Sequence, residues 1–287
     1  MQDNLLTFQP RLLLIDGCNL LFQMFFGMPA RIIGKQGKPI QGVLGFIGAL
    51  RKIIGMVQPS HVAVIFDSQC QNARAELDQN YKSNRIDYST VPEEDNPFSQ
   101  LDDIYKALNV LGIAHCEANG CECDDIIASY ALQCGDTDIV ISSFDSDFFQ
   151  LIGPHVRVLR YRGEKTVICD TQYINQKFGI APAMYADFKC LTGDKADNIA
   201  GVPGVGPKTA ASLINTYGSL QGVIDHADEI AKPALRQSVA KSADRLQVNL
   251  QLIKLQGNEA LPFVFDQMQY IDKGLTTTQV LQAIDLK

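Results

Sequence analysis

RLLLIDG, residues 11–17, decides the fold. Its apolar run is too short for a helix and is closed by Asp16 and Gly17, so it reads as a buried strand running into a turn. HVAVIF at 61–66 repeats the pattern, with Asp67 directly after it, and DIVIS at 138–142 repeats it again. IAHC at 113–116 reads as a shorter strand. Helical spacing fills the intervals. Val43, Phe46, Ile47, Leu50 and Ile54 recur at i, i+3 and i+4 within 41–57, and further helices are predicted near 99–111 and 122–134. Strands alternating with helices imply an α/β protein with a mainly parallel sheet covered on both faces. Ligands of such sheets bind outside the carboxyl ends of the strands.

Two departures divide the chain. Between Asp67 and Pro97 the periodicity stops, and a connection of that length is usually functional or mobile. From about residue 181 the pattern becomes helical, with segments predicted at 183–192, 207–216, 232–240 and 241–254. The expected organisation is a core over 1–180, with a loop at about 68–98, and a helical region over 181–287.

The composition is that of a globular chain: 287 residues, 46% hydrophobic and 20% charged. Its formal charge of −7 taken alone argues against a nucleic-acid partner. The charge is uneven, however. Residues 1–154 carry a net −9, whereas 155–255 carry +4. No apolar run approaches the roughly 18 residues of a membrane span. The N-terminus lacks the basic flank of a secretory signal, so a cytoplasmic protein is expected. His115, Cys116, Cys121, Cys123 and Cys134 lie close in sequence, but Cys121-x-Cys123 is shorter than a zinc pair requires. The eight cysteines are therefore read as reduced and mostly buried.

The chemistry lies in the carboxylates. Asp16 and Asp67 follow strands. Glu122, Asp124 and Asp125 crowd the start of a helix, Asp145 and Asp147 follow another strand, and Asp194 and Asp197 fall in LTGDKADN. One Asp after a strand is ordinarily a helix cap. Four of the five acidic blocks sit at strand ends or helix starts, and five such blocks together are hard to explain by capping. If they converge, they require cations. Hard oxygen donors without paired His or Cys select Mg²⁺ or Mn²⁺.

GVPGVGPKTA at 201–210 is the second motif. Gly204 and Gly206 permit a tight turn ahead of a helix starting near Pro207, and Lys208 adds charge at that helix start. In a net-positive region this reads as a helix–hairpin–helix gripping a nucleic-acid backbone. Arg74, Tyr81, Lys82 and Arg85 form a third, weaker element in the long loop, expected to contact DNA.

The blocks LLLIDG, AVIFD, YKSNR, ECDD, DSD, LTGDKADN and GVPGVGPKTA occur in the order of the 5′→3′ exonuclease/flap endonuclease family. From about residue 11 to 255 the chain resembles the 5′-nuclease domain of bacterial DNA polymerase I. No polymerase region follows, so a free-standing nuclease is expected. The resemblance implies a PIN-like core, an arch over the active site, and a helical DNA-binding region containing the helix–hairpin–helix. It implies that Asp16, Asp67, Glu122 and Asp124 serve a first metal, and that Asp125, Asp145, Asp147, Asp194 and Asp197 serve a second. It further implies that Lys82 and Arg85 contact the scissile phosphate or 5′ strand and Arg74 a neighbouring phosphate. The glycine hairpin would hold duplex DNA, with K⁺ on its carbonyls. Three positions depart from the pattern: Gln23 and Ser146 stand where cations are usual, and Cys123 where Ala is. Setting the nine proposed ligands aside leaves 23 acids against 25 bases, so the acidic total is compatible with DNA once metal is bound.

The expected function is thus hydrolysis of DNA phosphodiester bonds, as a 5′→3′ exonuclease and/or 5′-flap endonuclease, by a monomer using two or more Mg²⁺ ions, with Mn²⁺ as substitute. Lys82, Arg85, Asp67, Asp124 and Asp145 are its expected catalytic residues. The rival readings are a non-catalytic branched-DNA-binding protein, an RNA-directed PIN-type ribonuclease, and an acidic protein whose carboxylates are only caps.

Overall fold

The computed structural model, which describes residues 10–68 and 73–287, starts its sheet where the apolar run starts. β1 (Arg11–Asp16) leads into α1 (Gly17–Gly27), α2 (Gln41–Val57) and β2 (His61–Phe66). After α3 (Ala73–Leu77) come α4 (Leu101–Leu111), β3 (Ala114–Glu117), α5 (Cys123–Gln133) and β4 (Asp138–Ser142). β5 (Val156–Arg160) and β6 (Val167–Cys169) complete a six-stranded sheet ordered β3-β2-β1-β4-β5-β6. Every pairing is parallel except that of β6.

Burial on both faces explains the apolar strands. Leu12 and Leu14 face one core with Ala63, Ile65, Ile139 and Ile141, under α5 and the C-terminal helices. Leu13 and Ile15 face the opposite core with Val62, Val64 and Val140, under α1, α2 and α4. The period-2 alternation of side chains thus feeds two helical layers.

The second half is helical, as expected. It contains α6 (Thr171–Phe178), α7 (Tyr185–Thr192), a two-residue ribbon of β7 (Gly193–Asp194) with β8 (Ile199–Ala200), α8 (Pro207–Tyr217), α9 (Leu220–Asp225), α10 (Pro233–Ile253) and α11 (Thr277–Ala283). The two helices expected over 232–254 are one helix of 21 residues. Pro233 starts it, and no glycine or further proline interrupts it. β5 escaped the sequence reading because Arg157 and Arg160 break its apolar run. In the fold Arg157 pairs with Asp138 of the adjacent strand, and Arg160 lies 4.8 Å over the Phe149 ring. No helix among the described residues is long and apolar enough to cross a membrane.

The loop expected at 68–98 has no long helix in its described part. Residues 69–72 lie outside the described residues, as do residues 1–9 of the expected core. Beyond α3 the chain makes three short 3₁₀ turns, Tyr88–Thr90, Glu93–Asp95 and Pro97–Gln100. Its base is fastened to the ribbon after α7. Lys82 N donates to Asp197 O at 3.0 Å, Asn84 Nδ2 to Lys195 O at 3.1 Å, and Asn198 Nδ2 to Asn80 O at 2.9 Å.

Candidate active site

Strand order reverses beside β1, because the chain moves outward from β1 through β2 to β3 and then returns to lay β4 on the other side. That switch point opens a crevice at the strands' carboxyl ends. Asp16 ends β1, Asp67 follows β2, Asp145 follows β4, and Glu122 and Asp124 sit at the start of α5. All five line one cavity of about 780 Å³, together with Lys82 and Arg85.

Each carboxylate is held by local structure. Asp16 is the N-cap of α1, accepting from Asn19 N at 2.9 Å, and its other oxygen accepts from Ser143 Oγ at 2.7 Å. Capping and facing the cleft are therefore one arrangement. Asp67 Oδ1 accepts from Cys123 N at 2.9 Å, which ties β2 to the start of α5. Asp145 N donates to Ser143 Oγ, and Asp147 N donates to Asp145 Oδ1 at 2.8 Å.

The electrostatics follow from burial and proximity. Burial, joined by Asp67, pushes Asp16 up to about 7. Burial and the neighbouring Asp145, Asp16 and Asp67 push Asp124 well above the usual carboxylate range, and burial raises Asp67 as well. Buried like charges of this kind demand a cation or a proton.

A second group forms beside the first. Oxygens of Asp147, Asp194 and Asp197 lie within 4.8 Å of one another. Burial pushes Asp147 up to about 7 against the pull of Lys189, while Lys189 overcomes burial to hold Asp194 below its usual range. Lys189 Nζ bonds both Asp147 and Asp194, the latter at 2.5 Å. Arg85 pairs with Asp197 at 2.8 Å. Lys189 was missed by sequence reasoning. Its signal is a single cation among apolar residues of the helix leading to Asp194, which pattern alone reads as a solvated side chain.

Four residues are placed differently from expectation. Asp145, expected with the second metal, lines the cavity of Asp16, Asp67 and Asp124 and is not in the group of Asp147, Asp194 and Asp197. Asp125 faces away from the second acidic group: its Oδ1 accepts from Arg74 at 2.8 Å and from Gln256 N at 2.7 Å. Consecutive helix residues point about 100° apart, so Asp124 and Asp125 cannot share one site. Arg74, expected on a phosphate, is buried and donates to Glu122 at 2.5 Å and to Asp125. Tyr81, expected on DNA, is also buried, its hydroxyl donating to Glu122 at 3.2 Å. Lys82 reaches the same carboxylate at 2.5 Å. Burial works against Glu122, but Lys82 and Arg74 hold it below the usual range.

The remaining candidates lie elsewhere. Gly204 has a φ of 81°, Gly206 precedes α8, and Lys208 is exposed in that helix's first turn. Gln23 donates to Tyr161 O at 2.6 Å. The cavity is also lined by Phe22, Tyr88 and Phe98, with Phe22 edge-on to the other two rings at 5.2 and 5.3 Å.

Donor chemistry favours hard divalent ions. The floor is built of carboxylate oxygens, with no histidine among the described residues lining the cavity.

This architecture has known counterparts. A family model for the 5′-3′ exonuclease N-terminal resolvase-like domain matches residues 11–179, and one for the 5′-3′ exonuclease C-terminal SAM fold matches 180–274. DNA polymerase I of Rhizobium leguminosarum is 34% identical over 267 residues, covering 90% of this chain and 26% of that protein. The thermostable DNA polymerase I of Thermus aquaticus is 32% identical over 277 residues, 95% of this chain and 32% of that one. The chain therefore spans about a quarter to a third of these relatives. Among solved structures, the bacteriophage T5 D15 flap endonuclease, in a pseudo-enzyme-product complex with DNA and metal ions, superposes with a TM-score of 0.71 at 21% identity, over 96% of this chain and 99% of that one.

Proposed function

The chain belongs to the 5′-3′ exonuclease family, a family of hydrolytic nucleases, and from that premise we propose that it cleaves DNA at 5′ ends, flaps or branches with two divalent ions, Mg²⁺ or in its place Mn²⁺. The observation that carries this reading is the convergence of Asp16, Asp67, Asp124 and Asp145 in one cavity beside a second group of three acids. The T5 relative, whose structure holds DNA and metal ions, supports it by likeness of fold.

Asp16, Asp67, Asp124 and Asp145 would hold one ion, and Asp147, Asp194 and Asp197 the other. When bound, such ions supply Lewis acidity for the attacking water and the leaving 3′ oxygen. Glu122, paired with Lys82, would join the first group. Lys82 and Arg85 line the cavity with their cations on carboxylates. A phosphate entering among the ions would take over both cations, which then offset the charge developing on its oxygens. Arg74 and Tyr81 are positioning residues, fixing Glu122 from behind. Phe22, Tyr88 and Phe98 offer ring faces and edges on which an unpaired base can pack. Gly204, Gly206 and Lys208 would hold duplex backbone through exposed N–H groups and one charge, with K⁺ on the hairpin carbonyls. A division near residue 180, monomeric action and a cytoplasmic location belong to the same reading.

The test is cleavage of a 5′-labelled DNA flap in Mg²⁺, in Mn²⁺ and in EDTA, alongside Asp145→Asn. Metal-dependent cutting near the branch, lost in the variant, is the expected result. Tight binding without cutting in either metal overturns the catalytic reading and leaves a protein that only holds branched DNA.

A further inference from the structure

The segment after α11 reaches back to the loop between α1 and α2. Val280 and Leu281 of α11 are buried in the core shared with α2 and α4, and Leu286 is buried with them. Asp285 takes a left-handed φ of 59°, which turns the chain so that Leu286 N donates to Leu281 O at 2.9 Å. The Leu286 carbonyl then accepts from Lys35 N, in the loop, at 3.0 Å. Gly34 makes this approach possible, since a Cβ there would stand 2.6 Å from Leu286 O. Lys35 Nζ also pairs with Asp285 at 2.8 Å, but both side chains are exposed, so the backbone bond and the buried Leu286 side chain carry the contact.

The loop passes this restraint on. Gly34 N donates to Lys38 O and Ile40 N to Ile32 O, both at 2.8 Å, so the loop is folded on itself as one piece. It meets the end of the long 68–98 connection in two ways. Arg31 pairs with Asp95 at 2.6 Å. The loop also leads into α2, whose first turn is fixed by Gln100, its Oε1 accepting from Val43 N at 3.0 Å. Just before Gln100 stands Phe98, 5.7 Å from the Tyr88 ring, and both line the cavity beside Phe22.

We propose that residues 284–286 are a strap that governs binding of the DNA strand: by holding the 32–40 loop they hold residues 88–98, and so set the aromatic side of the cavity on which an unpaired base packs. Gly34, Lys35 and Leu286 are thus positioning residues for the substrate and take no part in hydrolysis. The inference rests on the nuclease reading above. Its physical basis is that exposed loops and short 3₁₀ turns have few buried contacts of their own, so their order depends on what fastens them. The strap is anchored in a packed core, whereas the stretch it steadies is not.

Hydrogen exchange and DNA binding by the full chain test this, in the wild type, Leu286→Ala, Gly34→Ala, the double variant and Val57→Ala. Val57 is buried in the same core at the other end of α2, roughly 24 Å along the helix, and controls for general loosening. A flap with 2-aminopurine as its first unpaired base, bound in Ca²⁺, reports stacking by fluorescence quenching. Leu286→Ala and Gly34→Ala should each exchange faster over 32–40 and 88–98, with β1 and β2 unchanged. Quenching should weaken, and the dissociation constant should rise at least about fivefold. Single-turnover cleavage of saturating flap should change by less than about twofold. The double variant should be no worse than the worse single one, because both changes break one contact. Faster exchange over 32–40 alone, quenching equal to wild type, or the same pattern in Val57→Ala overturns the proposal. If no form binds the flap, it is the nuclease reading that fails, and exchange over 88–98 still decides whether the strap holds that stretch.

Discussion

Replacing Lys189 by methionine separates the protein's own cation from the ions it is built to receive. Lys189 is buried, and its Nζ bonds Asp147 and Asp194. Methionine keeps the length and removes the charge, leaving two largely buried carboxylates facing each other. Removing one partner of such an arrangement typically costs about 3–5 kcal/mol. The loss depends on pH. Asp147 is already pushed up to about 7 by burial, so below that value a proton substitutes for the lost cation and the loss shrinks. A divalent ion substitutes more effectively. At a concentration about 100 times its dissociation constant, it returns about 2.7 kcal/mol. Urea unfolding at about pH 8 and about pH 5.5, in EDTA and in Mg²⁺, measures all of these terms. The variant should lose most stability in EDTA at the higher pH, and should gain more from Mg²⁺ than the wild type does. A loss below about 1 kcal/mol in EDTA at about pH 8, or equal Mg²⁺ increments in the two proteins, would refute the reasoning.

Other consequences can be measured directly. Lys82→Ala should lower single-turnover cleavage of a flap about 10²–10³-fold while weakening DNA binding far less, because its charge acts on the developing phosphate. In EDTA the folded wild type binds more protons than the unfolded chain between about 4 and 7, since Asp16 and Asp147 rise from 3.8 to about 7. Stability should therefore fall as pH rises through that window, by up to about 1.4 kcal/mol per pH unit for each such proton, and saturating Mg²⁺ should flatten the slope. Gly201→Ala would place a Cβ 2.4 Å from Gly193 N, so calorimetry should show a loss of about 1–3 kcal/mol. Asn249, fully buried on α10, donates to Ala200 O at 2.8 Å; Asn249→Leu strands that carbonyl and should cost about 1–3 kcal/mol by the same measurement.

How far these arguments could be run from sequence differs between residues. Asp16, Asp67 and Asp145 were legible because each follows an apolar run, and a parallel sheet collects strand ends at one edge. Lys189 was not legible, since a lysine on an amphipathic helix carries no local sign that it will be buried between two carboxylates. Arg74, Tyr81 and Asp125 show the opposite failure. Arg74 and Tyr81 turn inward to support Glu122, and Asp125 turns inward to pair with Arg74.

The sequence by itself determined the alternation of strands and helices, the acidic blocks and the glycine hairpin, because these depend on short-range periodicity and turn chemistry. Tertiary structure alone decided which carboxylates share a cavity and which are neutralised by lysine or arginine. It also decided that a buried cysteine lies against two of them. Those outcomes depend on side-chain direction and on contacts between residues more than a hundred positions apart, such as Asp16 with Ser143 and Arg85 with Asp197.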